Sequence, residues 1–138
     1  MQRRTVLWGL GAAALGALSG VPMRAFAQSP HDDLAFHLKV AAGAEARTRK
    51  AGIYDPAYVR LAYPMGDVAD DRGVCTDTVI RAFRHAGIDL QVEVHEDMKA
   101  AFGAYPKIWG LTKPDRNTDH RRVPNLETFF TRRGAART

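Results

Sequence analysis

Cys75 is the only cysteine in a chain of 138 residues, and it stands in the run Gly73-Val74-Cys75-Thr76-Asp77. A helix is expected from about Val74 to Ala86, stopped by Gly87. A thiol in the first turn of a helix meets backbone N–H groups that have no intrahelical partner and the positive end of the helix dipole. Both favour the thiolate, the form that attacks a carbonyl carbon. Cys75, Val79, Ala82, Phe83 and Ala86 repeat at helical spacing. That stripe predicts the sulfur on the inward face, with Thr76, Asp77, Arg81 and Arg84 on the other. A small core cysteine explains the same stripe. Chemistry is favoured by the position after a glycine, and by the liability that an unpaired thiol brings to an exported protein.

A nucleophilic cysteine needs a base, normally an imidazole oriented by a third polar group. The candidates are His31, His37, His85, His95 and His120. His31 and His37, six apart on one helix, do not share a face and make no metal pair. His85 lies about 15 Å along the axis from Cys75, at the C-terminal end where it complements the dipole. His95 reads as a half-buried helix residue able to line a cleft. His120 sits in a polar loop, where Asp119 can orient it toward Cys75. Arg121 and Arg122 either grip a carboxylate or form a solvated face. Asp67, Asp70 and Asp71 lack the donor pattern of a calcium loop and read as turn residues. No metal or other cofactor is called for.

The elements that must position these residues read as mostly α: four to five helices with little strand. Ser29-Pro30-His31-Asp32 has the form of a helix start, and Leu34, Leu38, Ala41 and Ala42 mark the inward face of a helix that runs toward Gly52. Asp55-Pro56 predicts a short helix through Leu61, ended by Tyr63-Pro64. Residues 65–73 are expected to be loop. Asp89 caps a third full helix, with Leu90, Val94, Met98, Ala101 and Phe102 on one face. Residues 103–123 are an ordered loop pinned by Trp109, and Pro124-Asn125 opens a last helix through Arg133, with Leu126, Phe129 and Phe130 inward.

The first 27 residues read as an address. Arg3 and Arg4 precede an apolar stretch of sixteen residues, Val6 to Val21, with four glycines among them, and Ala25-Phe26-Ala27 makes a small-residue cleavage site. That apolar stretch falls short of the roughly 20 residues a spanning helix needs, so no permanent membrane anchor is expected. The paired arginines resemble a twin-arginine signal. A periplasmic protein beginning at Gln28 is expected, its domain covering residues 28–138. Its net charge falls from +5 to +2, since 17 basic residues then face 15 acids. Residues 113–138 hold seven Lys/Arg and three acids, so the basic character belongs to the tail. An exported protein so charged is not expected to bind nucleic acid.

Several motifs in order resemble the bacterial family of unknown function DUF 1287: Gly73-Val74-Cys75-Thr76-Asp77, Val79-Ile80-Arg81-Ala82-Phe83-Arg84, Asp89-Leu90-Gln91, Val94-His95-Glu96-Asp97-Met98, Tyr105-Pro106 with Trp109-Gly110-Leu111, Asp119-His120-Arg121-Arg122-Val123-Pro124-Asn125-Leu126 and Phe129-Phe130. That family is similar to NlpC-like, papain-fold cell-wall cysteine peptidases. The resemblance implies an α+β papain-like domain in which Cys75 is the nucleophile, and hydrolysis of amide bonds in peptidoglycan stem peptides. In proteins of this kind the sheet and the catalytic His follow the Phe-Phe helix, whereas this sequence stops at Thr138. Expected, therefore, is the Cys-bearing helical portion of such a domain, truncated and weakly active or inactive alone. His120 with Asp119 is the resident substitute for the base, and Tyr105, Trp109, Arg121, Arg122 and His95 are the candidate substrate contacts. The alternative is a non-catalytic periplasmic protein that binds peptidoglycan through Trp109, Tyr105 and the arginine pair. Apolar helix faces that would cover a sheet must otherwise repack, stay partly molten or drive self-association.

Overall fold

A computed structural model describes residues 33–50 and 52–135. The export signal expected over residues 1–27, the helix-start residues 29–32 and the last three residues lie outside that range. Four helices dominate the regular structure of the described chain: α1 (Asp33–Thr48), α2 (Cys75–His85), α3 (Leu90–Ala101) and α4 (Val123–Arg132). The mostly helical expectation holds. Two two-residue strands, β1 (Ile53–Tyr54) and β2 (Arg72–Gly73), pair in parallel with Ile53 opposite Arg72 and Tyr54 opposite Gly73. Among the described residues no helix is long and apolar enough to cross a membrane.

The core forms between helices. Ile80 of α2, Leu90, Val94 and Met98 of α3, Tyr105, and Leu126 and Phe129 of α4 are all buried and in one cluster. Phe83 and Phe130 pack at its edge, ring centroids 5.4 Å apart. The apolar faces thus repack on one another, and Phe129 reaches zero exposure without a sheet over it.

Two inward faces differ from expectation. In α1 it is Phe36, Val40, Gly43, Ala44 and Arg47 that are covered, while Leu34 and Leu38 are 63% and 61% exposed. The cause is close packing on α2. A Cβ on Gly43 would lie 2.7 Å from the Cβ of His85 and 3.0 Å from the Cα of Ala82, so the missing side chain lets the two backbones approach. Phe36 meets Phe83 edge-on at 5.8 Å. In α2 the buried residues are Thr76, Asp77, Ile80 and Ala82, and Cys75 and Val79 are exposed.

The short helix expected after Asp55 is absent from the described chain, which runs irregularly from Asp55 to Ala62. Asp55 does accept a local N–H, from Ala57 at 3.0 Å, but as a turn. Further along, the Leu61 N–H goes to Asn117 Oδ1 at 2.9 Å, a tertiary bond that takes the place of a helical one. Gln91, fully buried on α3, receives the Gly66 N–H and donates to the carbonyls of Ala62 and Arg116. One amide thereby fastens both long loops to the core.

Candidate functional site

Gly73, Val74, Thr76 and Asp77 each have a role in the turn that carries Cys75. Asp77, in the first turn of α2, accepts the Val74 N–H at 2.6 Å, which satisfies one of the donors that a helix N-terminus leaves open. Arg121 grips the same carboxylate with Nε on Oδ1 at 2.8 Å and Nη2 on Oδ2 at 2.9 Å, both side chains about 5% exposed or less. The Thr76 hydroxyl donates to the Arg121 carbonyl at 2.7 Å. Polar residues therefore face inward, and the helix turns Cys75 outward to solvent. The expectation that the sulfur faces the core is corrected by this clamp, because a buried ion pair can draw in a face that hydropathy alone marks as outer.

Gly73 has φ +147°, and a Cβ there would come 2.5 Å from Asp77 Oδ2. Gly73→Ala is expected to destabilise the chain by about 1–2 kcal/mol through backbone strain and displacement of that carboxylate. Thermal unfolding checks it; an unchanged midpoint would mean that the turn has room to adjust.

Cys75 opens onto a groove of about 450 Å³ walled by β1, β2, the end of α1 and the first turns of α2. Arg47, Lys50, Arg72 and Arg81 are its charged lining residues, with Tyr54 and Thr78 beside them. None of these was singled out as a site residue from sequence, since each lies outside the motif around the cysteine. The loop acids read as turn residues are their partners. Asp70 accepts from both Arg47 and Lys50, Asp67 from Arg81, and Asp71 from Arg72. The two cations on Asp70 hold its carboxyl down at about 2.

Among the described residues no histidine lines the groove. His120, 2% exposed, is enclosed in a 3-10 turn, Asp119–Arg121, and is not among the residues that line the groove with Cys75. Burial, aided by the positive charges of Arg84 and Arg121, pushes its imidazole down to about 4. Asp119 does not orient it. One carboxylate oxygen of Asp119 accepts the Asp115 N–H and the other accepts from Arg122, while burial pushes its carboxyl up.

The expected substrate contacts are likewise engaged elsewhere. Tyr105 is a core residue whose hydroxyl donates to Asp97 Oδ2 at 2.6 Å; burial, then that hydrogen bond, raises its phenol. Arg121 is committed to Asp77, and Arg122 lies over the Trp109 ring at 4.1 Å. His95 packs edge-on against Tyr63 at 5.4 Å. None of these five lines the groove beside Cys75. Among the described residues no group of three or more His, Cys, Asp or Glu side chains could hold a metal ion.

Residues 41–138 match the family described as a domain of unknown function, DUF1287. The chain is also similar to a curated Escherichia coli (strain K12) protein described as uncharacterized protein YijF. The two are 54% identical over 101 residues, which is 73% of this chain and 49% of the relative. The chain thus spans about half the length of that relative. No solved structure matches it.

Proposed function

The chain belongs to the DUF1287 family, and from that premise and the geometry around Cys75 we propose that it is an exported, NlpC-like cysteine hydrolase of the cell wall, acting on amide bonds in peptidoglycan stem peptides. The observation that carries this reading is the outward display of Cys75 over an open groove by a turn whose other polar residues are locked inward. In the proposed reaction the sulfur attacks the amide carbonyl, and the backbone N–H groups of the first turn favour the oxyanion. The amine leaves with a proton, and water then cleaves the thioester. With no imidazole lining the groove among the described residues, the thiol proton passes to solvent, so turnover by this chain alone is expected to be slow. The papain-like fold belongs to the same proposal, as do a periplasmic location and cleavage of the signal after Ala27.

That no described residue brings an imidazole to the groove lining favours one other reading, a protein that binds peptidoglycan without cutting it. Prolonged digestion of purified sacculi, followed by mass spectrometry of the released peptides, separates the two. A slow release of stem-peptide fragments that Cys75→Ala abolishes is the expected result. Retention on sacculi by both proteins, with no fragment that depends on Cys75, would overturn the hydrolase.

A further inference from the structure

The groove beside Cys75 is chemically one-sided: among the described residues that line it, four are cations and none is a carboxylate. Two of the four are occupied with the fold. The Arg47 side chain, 14% exposed, donates to the carboxylate and the backbone carbonyl of Asp70. Arg81, 11% exposed, is spent on the Asp67 carboxylate and the carbonyls of Val68 and Ala69. Lys50 and Arg72 differ, with side chains 59% and 42% exposed.

Both keep donors to spare. An ammonium has three N–H groups and a guanidinium five. Lys50 gives one, to Asp70 Oδ2 at 2.7 Å. Arg72 gives Nε to Asp71 at 3.2 Å, while its Nη2 is 3.5 Å from Asp71 and its Nη1 3.6 Å from Asp55. Exposed pairs of this kind are weak enough to exchange with an incoming anion. Asp70 is also shared between Arg47 and Lys50, so two cations face one carboxylate at that end of the groove. Ile53 and Tyr54, 61% and 72% exposed, add apolar surface to the same lining.

We propose that this groove selects acyl substrates carrying a free carboxylate near the carbonyl that Cys75 attacks, and that Lys50 and Arg72 are the residues that receive it. The proposal rests on the reading of Cys75 as a nucleophile directed into this groove. It adds the charge of the substrate and the two side chains that read it.

Alkylation isolates the charge, because iodoacetate and iodoacetamide deliver the same carbon to sulfur with and without a carboxylate. The quantity to measure is the ratio of their rates at Cys75 in the folded chain, referred to the same ratio in the urea-unfolded chain at equal pH. The folded ratio is expected to be higher by roughly fivefold or more, as for an anion drawn into a cationic cleft. It should fall to within about twofold of the unfolded value in Lys50→Gln/Arg72→Gln, and also in the unaltered chain at about 0.5 M NaCl, where such attraction is screened. Equal ratios in folded and unfolded chains, or a ratio that the double variant leaves unchanged, would overturn the proposal. So would failure of both reagents to label the folded chain, since a groove closed at Cys75 receives no substrate. The hydrolase reading fails separately, on sacculi that yield no fragment dependent on Cys75, and the charge selectivity would survive that result.

Discussion

Arg121→Met is expected to destabilise the chain by about 3–5 kcal/mol, because it leaves the Asp77 carboxylate buried without its cation. Asp77 and Arg121 are 4% and 5% exposed and joined by two hydrogen bonds, so neither charge can turn to water while the other is missing. A typical domain of this size is stable by only about 5–15 kcal/mol. The loss should therefore appear as a large fall in the urea midpoint. The double variant Asp77→Asn/Arg121→Met tests the cause. The substituted amide keeps an oxygen for the Val74 N–H but carries no charge, so the double variant should be more stable than Arg121→Met alone. If Arg121→Met costs under about 1 kcal/mol, or if the second change adds to the loss, the buried charge is not what holds this turn.

The same pair explains why one part of the site was legible in the sequence and another was not. The start of α2 could be placed, because glycine before and after a run with helical apolar spacing marks both ends locally. Its inner face could not. Thr76 and Asp77 are polar and buried, and the partner that makes their burial tolerable is Arg121, 44 residues further on. A helical stripe drawn from hydropathy sees only residues on the same helix, so it turned Cys75 inward. The face of α1 was misplaced for a related reason. Gly43 counts for little in an apolar pattern, yet its lack of a side chain sets which face of α1 meets α2. In α3 and α4 the apolar stripe does point inward, so Leu90, Val94, Met98, Leu126 and Phe129 were legible as core, whereas the buried Gln91 and Asn125 beside them were not. The groove was invisible for want of local signal: β1 and β2 are two residues each, and Lys50 and Arg72 are brought to one cavity by that short pairing.

His120 shows the same limit from the side of electrostatics, and it predicts an acid-sensitive fold. In sequence it lies among Asp115, Arg116, Asn117, Asp119, Arg121 and Arg122, as polar a setting as the chain offers. In the fold it is 2% exposed, with Arg84 and Asp77 of α2, Asp89 at the start of α3 and its own neighbour Arg121 as the charges that act on it. Burial comes first among the causes that lower its imidazole to about 4, and Arg84 and Arg121 add to it while Asp89 and Asp77 oppose. The folded state thus holds His120 neutral at pH values where the unfolded chain, with a pKa near 6.5, binds a proton. Stability from this group is fully present above about pH 6.5 and is lost as the pH falls toward 4, an effect of about 3 kcal/mol across the window. Asp119, whose carboxyl burial pushes up, works with the opposite sign at the acid end, so the comparison must be between variants rather than between pH values alone. Urea unfolding of the chain and of His120→Gln at several pH values between 7 and 4 makes it. The free energy of the unaltered chain should fall more steeply with acid, and the two curves should converge as the pH drops. Parallel curves would mean that His120 takes up its proton in the folded state as readily as in the unfolded one, and that its burial does not set the acid sensitivity of the fold.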